Sequence, residues 1–328
     1  MKAKIVATGS YLPEKVLTNA DLEKIIDTND EWIVSRTGMK ERRIANEDES
    51  PSDMGVIAAK KALAQADISP DQVEMILVGT STPDYIMPST ASLIQAKLGC
   101  KDAGAMDLMA ACSGFLYALS AAKAYIESGT YATVLVVATE KMSAFLNYED
   151  RTTCVLFGDG AAACVVSHSG AGLTIQNVDL GCDGTLFELI QIPAGGSKHP
   201  TTQETLDKRL QYFKMQGKEV FRHAVRRMDA AGKRCLEKAN LQAEDLEWLV
   251  PHQANIRIMD ALANMSKMPI EKIYKTIHKY GNTSAASIAI SLDELLKDHN
   301  IENGHHLLLL TFGAGLTWGA ALLTKEGG

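Results

Sequence analysis

The chain has 328 residues, of which 46% are hydrophobic and 22% charged, and its formal net charge is -7. This length allows two domains or one large two-lobed domain, and the negative charge argues against a general nucleic-acid-binding protein. No apolar run is as long as a membrane span, and the start lacks the pattern of a signal peptide, so we expect no membrane association and a cytoplasmic location.

In chain order, the first strongly patterned segment is "AAKKALAQADISPDQVEMILVG" from Ala58. It predicts an amphipathic helix, a short acidic turn and a buried strand. Next, "MDLMAACSGF" joins an apolar run to a helix that Gly129 closes, and this places Cys112 between a strand and a helix. "FGDGAAACVV" from Phe157 then predicts a glycine turn that opens into a strand of small residues.

Both kinds of segment recur later in the same order. "AGKRCLEKANLQAEDLEWLVPH" from Ala231 repeats the helix, turn and strand, and "FGAGLTWGAALL" from Phe312 repeats the glycine turn. The polar segment 195–217 between the two copies predicts a surface excursion. The alternation of helices and strands predicts the α/β class with largely parallel pairing, and the repetition predicts two similar halves, 1–175 and 176–328.

The six cysteines include no CxxC pair, so the sequence predicts neither a metal site nor a disulfide framework. We expect five of them to be small core or near-core residues of a protein in a reducing compartment. The sixth, Cys112, is placed for chemistry, because the free N–H groups at a helix start stabilise a nucleophilic thiolate.

Two further residues are expected near Cys112. His252, in "VPHQAN", follows the repeated strand, and Asn282, in "HKYGNTSAAS", precedes a helix. Sites in α/β sheets form beyond the carboxyl ends of the strands, so the three side chains are expected to converge. A thiol suits thioester substrates, and His and Asn can donate hydrogen bonds to an oxyanion or enolate. Singly, each residue fits an ordinary structural role; together they favour a site.

These motifs make the sequence resemble the β-ketoacyl-acyl-carrier-protein synthase III family of the thiolase superfamily along essentially the whole chain. The resemblance is carried by "ATGSYLPEKVLTN", "DEWIVSRTGMKERR", "DLMAACSGF", "YEDRTTCVLFGDGAAA", "PHQANIRIMD", "HKYGNTSAAS" and "FGAGLTWGAAL". It implies a thiolase-like five-layered αβαβα fold built from two duplicated βαβαβαββ halves.

The resemblance also implies the initiating condensing enzyme of type II fatty acid biosynthesis. An acyl group, acetyl by default, would pass from acyl-CoA to Cys112 and then condense with malonyl-acyl-carrier protein as carbon dioxide leaves. His252 and Asn282 would stabilise the enolate, and the backbone N–H groups of Cys112 and Ala314 the acyl oxyanion. No cofactor is implied, since CoA thioesters are substrates, and a homodimer is expected.

Further roles are implied residue by residue. The CoA path would comprise Thr28, Trp32, Arg36, Arg151 and Asn255; the acidic carrier protein would dock on Lys218, Arg222 and Arg257; and the acyl pocket would be lined by Met87, Phe157, Leu189 and Phe312, with Met87 serving the partner subunit. Without the resemblance, Trp32 would be interpreted as a helix anchor and Arg36 as part of a surface ion pair. In the stretch "NMSKM" from Asn264, where the family often has several lysines, Lys267 alone is basic.

Two alternatives stay open at this stage. A chalcone-synthase-like or related condensing enzyme with a longer or branched primer shares Cys-His-Asn, and the methionine at position 87 leaves the primer length undecided. A catalytically silent acyl-CoA or carrier-protein binding module would keep the fold without the reaction. The "WxxxRTG" pattern from Trp32 to Gly38 favours the synthase III interpretation.

Overall fold

The computed structural model describes residues 1–327. The strands are β1 (Lys4–Tyr11), β2 (Lys15–Thr18), β3 (Glu41–Ile44), β4 (Met75–Gly79), β5 (Gly104–Leu108), β6 (Thr133–Glu140), β7 (Gly160–Ser167), β8 (Gly172–Cys182), β9 (Ile190–Gln191), β10 (Lys214–Met215), β11 (Leu246–Pro251), β12 (His306–Gly313) and β13 (Thr317–Glu326). The helices are α1 (Asn19–Leu22), α2 (Asp30–Thr37), α3 (Pro51–Ala66), α4 (Thr90–Leu98), α5 (Gly114–Glu127), α6 (Gln203–Asp207), α7 (Gly217–Lys238), α8 (Ile256–Ser266), α9 (Ile277–Tyr280) and α10 (Ala286–Asp298).

The main sheet consists of two similar parts. In the first part the strands lie in the order β5-β4-β6-β7-β1, and β7 runs antiparallel to its neighbours. In the second part the order is β11-β12-β13-β8, and β13 is the antiparallel strand. A single parallel bridge between Leu249 and Ile273 stands where β5 stands in the first part. The two parts therefore repeat one topology, and a short β1–β8 pairing joins them.

Helices cover both parts of the sheet and also lie between them. Along β12, Leu307 and Leu309 belong to the apolar cluster that contains α5 and α10, whereas Leu308 and Leu310 belong to the cluster that contains α7 and α8. The opposite face of the first part packs against α3 and α4. This alternation of side chains gives five layers, in the order helix, sheet, helix, sheet, helix, as the fold prediction required.

The sequence repeat corresponds to a structural repeat. In both copies a long helix, α3 or α7, is followed by a short 3₁₀ turn and a buried strand, β4 or β11. The α3 copy begins with a capping box, in which Ser50 and Asp53 satisfy each other's backbone N–H groups, and Pro51 occupies the first helical position. The predicted halves 1–175 and 176–328 divide β8, and this boundary stays a prediction.

One expectation about the cysteines was wrong. Cys182 is exposed at the end of β8, whereas Cys100, Cys154, Cys164 and Cys235 are buried as expected. The cause is the course of β8, which is buried over its first four residues and leaves the core toward Cys182, its last residue. The polar segment 195–217 contains α6 and reaches β10. Within residues 1–327, none of the helices combines the length and apolarity that crossing a bilayer requires.

Candidate active site

Cys112 lies in a 3₁₀ turn, Ala111–Ser113, between the end of β5 and the start of α5. The turn begins with a left-handed residue, since Ala111 has a φ of 48°. Thr311 of β12 donates a hydrogen bond of 2.9 Å to the backbone carbonyl of Cys112. A non-glycine residue in this conformation is strained, and the surrounding contacts are what hold the nucleophile's position.

The turn between β12 and β13 lies directly against Cys112. A Cβ atom added to Gly313 would be 2.7 Å from the backbone nitrogen of Cys112, so only glycine permits this approach. Thr317 then donates to the carbonyl oxygens of Ala110 and Ala314, each at 3.0 Å. The Cys112 N–H belongs to the first turn of a helix, where backbone donors have no intrahelical partner. The arrangement brings this donor close to the turn that contains Ala314.

His252 follows β11 and is only 3% exposed. Its backbone N–H donates to the carbonyl of Leu310 at 2.7 Å, and its Nδ1 lies 2.6 Å from the hydroxyl of Ser287. Burial lowers the pKa of His252 to about 3, because an imidazolium loses its hydration there. The ring is therefore neutral at physiological pH, with Nδ1 engaged by Ser287.

The side-chain amide of Asn282 is fixed by a hydrogen bond to its oxygen. The side-chain Oδ1 accepts a hydrogen bond of 2.8 Å from the backbone N–H of Ser284, and the Asn282 backbone pairs with Leu156 and Gly158. This bond identifies Oδ1 as the inner atom of the amide. The Nδ2 group makes no hydrogen bond within the part of the chain that the structure describes, so it is available as a donor.

The segment from Asn282 to Ser287 joins the three predicted catalytic residues. Ser284 lies 3.3 Å from the sulfur of Cys112, Ser287 bonds His252, and Asn282 begins the segment. The structure thus brings Cys112, His252 and Asn282 to one site.

Sequence analysis missed two residues at this site. Ser284 has a φ of 49° and donates its hydroxyl hydrogen to the carboxylate of Glu140 at 3.0 Å. Glu140 is 0% exposed at the end of β6. A signal was present, because an acidic residue directly after the apolar run "VLVVAT" is unusual at a buried position. Burial also raises the pKa of the Cys112 thiol to about 12, so the resting thiol is protonated.

Two residues of the predicted CoA path are in contact. The Arg151 guanidinium lies 5.5 Å from the centre of the Trp32 ring, and its Nη1 donates to the carbonyl of Asp27 at 2.9 Å. Helix α2, which carries Trp32, packs on α8 through Gly38, where φ is +81° and an added Cβ would be 2.6 Å from Ile256. This glycine explains the "RTG" motif structurally, because the turn demands a left-handed residue without a side chain.

The remaining residues of that path differ in their surroundings. The hydroxyl oxygen of Thr28 is buried and has no hydrogen-bond partner within residues 1–327. Asn255 caps α8 by accepting a hydrogen bond of 2.9 Å from the N–H of Arg257, so one of its polar atoms is already used. Arg36 is exposed near the end of α2.

The predicted docking residues all lie on the surface. Lys218 and Arg222 are exposed on α7, and Arg257 is exposed on α8, which packs against α7. Arg222 forms an ion pair of 3.2 Å with Glu219 on its own helix. That acidic neighbour reduces the positive potential of the patch.

The predicted acyl-pocket residues fall into two groups. Phe157 and Phe312 are buried in the apolar cluster of the second sheet, and Leu189 packs against the same cluster. Met87 is 80% exposed on the loop before α4. Met87 thus lies on the surface whereas the other three contribute to the cluster, and its expected role in a partner subunit stays a prediction.

Comparison with known proteins gives the chain its family. Residues 106–184 match the profile of 3-oxoacyl-[acyl-carrier-protein (ACP)] synthase III, and residues 236–325 match that of the synthase III C terminal region. The β-ketoacyl-[acyl-carrier-protein] synthase III of Chlamydia trachomatis serovar D is 56% identical over 326 residues, which cover 99% of this chain and 100% of the relative. The chain belongs to the 3-oxoacyl-[acyl-carrier-protein] synthase III family.

Solved structures agree with this assignment. The family member from Aquifex aeolicus VF5 is 47% identical, with a TM-score of 0.91 over 98% of this chain and 100% of that chain. The priming β-ketosynthase of the R1128 polyketide pathway is 37% identical, with a TM-score of 0.91 over 100% of this chain and 97% of that chain. These findings confirm the predicted family, the thiolase-like fold and the class of acyl-transferring condensing enzyme.

Proposed function

We propose that this synthase III family member is the initiating condensing enzyme of type II fatty acid biosynthesis. It transfers an acyl group, acetyl by default, from acyl-CoA to Cys112 and then condenses that group with malonyl-acyl-carrier protein. The observation that carries the proposal is the segment from Asn282 to Ser287, which contacts Cys112 and His252 and supplies the Asn282 amide.

In the first half-reaction, the Cys112 sulfur attacks the thioester carbonyl of acyl-CoA. The carbonyl oxygen becomes negative in the tetrahedral intermediate, and the backbone N–H groups of Cys112 and Ala314 donate to it. The bond between the carbonyl carbon and the CoA sulfur then breaks, so that CoA leaves as its thiol and the acyl group stays on Cys112. The close approach of Gly313 to the Cys112 backbone supports this pairing of donors, because it brings the two segments together without bound substrate.

In the second half-reaction, the malonyl group loses carbon dioxide and becomes an enolate. Nδ2 of Asn282 and Nε2 of neutral His252 donate to the enolate oxygen, and the enolate carbon attacks the acyl-cysteine. Cys112 is expelled as a thiolate and takes up one proton, which leaves 3-oxoacyl-carrier protein as product. This role requires the ring proton on Nε2, and the 2.6 Å contact of Nδ1 with Ser287 supports it if the Ser287 hydroxyl is the donor.

Substrate binding is proposed at the residues that the family resemblance named. An adenine enters between Trp32 and Arg151 and displaces the Arg151 side chain from the indole, while Arg36 faces the phosphates. The unpartnered hydroxyl of Thr28 supports a ligand there, because a buried polar atom without a partner is unfavourable until something binds it. Asn255 offers only its amide hydrogens, since its oxygen caps α8.

A homodimer is proposed because one protomer leaves an apolar surface open. Tyr85, Ile86 and Met87 are 61%, 86% and 80% exposed, and Met109 beside the Cys112 turn is 71% exposed. Strand β5 forms the edge of the sheet in the same region. Exposed apolar groups and an open strand edge favour association with a second copy, in which Met87 would reach the partner's acyl pocket and limit the primer length.

The test is an acyl-transfer assay with a matched cysteine control. Incubation with acetyl-CoA is expected to add one acetyl group to Cys112, and addition of malonyl-carrier protein to yield acetoacetyl-carrier protein; intact-mass and peptide-mass measurements follow both. Cys112→Ala is expected to abolish the adduct, whereas Cys182→Ala, at an exposed thiol, retains it. An adduct that persists without Cys112, or binding of CoA thioesters without any adduct, would favour the silent binding module.

A panel of acyl-CoA primers with increasing length and branching measures the substrate range in the same assay. The likeness to the priming ketosynthase of a polyketide pathway makes this comparison relevant. A higher acylation rate with a longer or branched primer than with acetyl-CoA would contradict the acetyl default while leaving the reaction itself intact.

A further inference from the structure

The thiol of Cys112 needs a route for its proton, and the structure contains one candidate. The only hydrogen bond that the Cys112 side chain makes within residues 1–327 is to the Ser284 hydroxyl, at 3.3 Å. A serine has a single hydroxyl hydrogen, and Ser284 donates it to Glu140 at 3.0 Å. While Glu140 is ionised, Ser284 is therefore the acceptor in the contact with the thiol, and the S–H group is the donor. The three side chains form a directed chain from sulfur to carboxylate.

Burial raises the pKa of Glu140, and the hydrogen bonds that its carboxylate accepts partly offset this shift. Besides Ser284, it accepts hydrogen bonds from the backbone N–H of Ser81 at 3.1 Å, from the Thr82 hydroxyl at 2.7 Å and from the backbone N–H of Ala285 at 3.4 Å. A backbone N–H can only donate, so two of these partners require an acceptor oxygen. The Glu140 carboxylate is 0% exposed and forms no ion pair among the described residues. Its charge therefore does not serve to neutralise a neighbouring cation.

We propose that Ser284 and Glu140 accept in turn the proton that Cys112 loses as it attacks acyl-CoA. This inference rests on the proposed function and deepens its first half-reaction. Ser284 contacts the reacting sulfur directly, whereas Glu140 acts through Ser284. His252 is not placed for this task, because its Nδ1 is engaged by Ser287 and protonation of its buried ring is unfavourable.

The step balances without another reagent. As the bond from sulfur to the acyl carbon forms, the thiol proton moves to the Ser284 oxygen and the Ser284 proton moves to Glu140. The bond between the acyl carbon and the CoA sulfur breaks. Glu140 then returns its proton to Ser284, and Ser284 donates a proton to the departing CoA sulfur, because Cys112 is now acylated. The products are acyl-Cys112, CoA thiol, and Ser284 and Glu140 in their starting states.

The experiment separates the two half-reactions in Glu140→Gln, Ser284→Ala and the double variant. Rapid-quench mass spectrometry measures the rate of Cys112 acetylation by acetyl-CoA. Enzyme acetylated by long incubation is then freed of CoA and mixed with malonyl-carrier protein to measure condensation. General-base catalysis contributes on the order of 100-fold or more, so both single variants are expected to acetylate about 100-fold more slowly. The double variant is expected to be no slower than either, because the residues act as a unit.

Asp159→Asn is the matched control. Asp159 is also 0% exposed, and among residues 1–327 its side chain accepts hydrogen bonds only from Ala45 and Ser143, so the substitution neutralises a buried carboxylate outside the chain from Cys112. Its acetylation rate is expected to match wild type, and Glu140→Asp is expected to recover part of the rate lost in Glu140→Gln. Condensation by pre-acetylated enzyme is expected to change little in all variants.

Several outcomes would overturn the relay. One is wild-type acetylation by folded Glu140→Gln or Ser284→Ala; others are an equal loss of both half-reactions, or an equal loss in Asp159→Asn, which would mark a structural role. If Glu140→Gln does not fold, Ser284→Ala alone decides, since it removes the middle of the chain and keeps the carboxylate. If wild-type protein forms no Cys112 adduct, the proposed function itself fails, and this result is distinct from an intact adduct formed at an unchanged rate.

Discussion

At the scale of single residues, the proposed mechanism divides the donors of the site between two reactions. Backbone N–H groups would serve the oxyanion of acyl transfer, and the side chains of His252 and Asn282 would serve the enolate. The backbone of Ser284 occupies the amide oxygen of Asn282, and Ser287 occupies Nδ1 of His252. Each contact leaves a nitrogen, Nδ2 of Asn282 or Nε2 of His252, for substrate. Such preorganised donors need no rearrangement when charge develops.

This division predicts different losses in the two half-reactions of His252→Ala. Cys112 acetylation is expected to stay near the wild-type rate, while carbon dioxide release from malonyl-carrier protein falls about 100-fold, the effect of losing one oxyanion donor. Radiolabelled carbon dioxide and the mass of the protein follow the two steps. His306→Ala is a suitable control, since His306 also bonds a hydroxyl, that of Thr324 at 2.8 Å, but at the opposite end of β12. Equal loss of both steps in His252→Ala would contradict the division.

At the scale of elements, the ends of strands and the starts of helices position the site. The turn between β12 and β13 presses against the start of α5, and its geometry requires a residue without a side chain at Gly313. The same turn is anchored by Thr317 to Ala110 and by Thr311 to Cys112. Backbone from three elements therefore fixes the nucleophile, and no mobile loop is needed to assemble it.

Gly313→Ala tests this packing. The new methyl group would lie 2.7 Å from the Cys112 nitrogen and 3.2 Å from the Cys112 Cβ, so one of the two segments has to shift. We expect the free energy of unfolding to fall by about 1–3 kcal/mol, as overpacking usually costs, and Cys112 acetylation to fall much further because the oxyanion donors separate. Denaturant unfolding and rapid-quench acetylation measure the two effects. Gly196→Ala, where an added Cβ meets nothing within 4 Å, is the control; wild-type acetylation by Gly313→Ala would show that the approach is unimportant.

The site residues that could be predicted from sequence are those that adjoin a clearly patterned helix or strand. Cys112, His252 and Asn282 lie next to segments with clear helix or strand patterns, and the repeat places those segments at equivalent positions. Glu140 and Ser284 escaped prediction because their contact joins the end of β6 to the turn before α10, 144 residues apart in the chain, and no local pattern records such pairing. Likewise, the counterpart of β5 in the second part of the sheet is reduced to a single bridge at Ile273. The alternation of apolar residues along a sequence cannot reveal so short a pairing.

At the scale of the whole molecule, the proposed substrate entry and carrier docking both involve the outer layer that α7 and α8 form. Helix α2 lies against α8, so the Trp32 end of the CoA path is next to the helix that carries Arg257. The chain as a whole is negative, at -7. An acidic carrier protein therefore has to find a local positive surface, and long-range attraction elsewhere opposes binding.

Arg257→Glu is expected to weaken carrier-protein docking without disturbing the fold. Reversing this exposed charge places like charges face to face, so KM for malonyl-carrier protein is expected to rise about tenfold or more at low salt, and further when Arg222→Glu is added. Wild-type turnover is expected to fall with ionic strength as the attraction is screened. Steady-state kinetics with carrier protein varied measures both effects. Acetylation from acetyl-CoA is expected to change much less, because it does not involve the carrier protein.

The matched control for that prediction is Lys60→Glu. Lys60 is an exposed residue on α3, in the outer layer of the other sheet, and its reversal changes the net charge by the same amount. If both reversals raise KM equally, total charge governs the encounter and the site of docking is elsewhere. If only Arg257→Glu does, docking is local to α8. Arg222 is partly neutralised by its ion pair with Glu219, so it contributes less to docking than Arg257 does. Arg222→Glu alone is therefore expected to raise KM for malonyl-carrier protein by a smaller factor than Arg257→Glu.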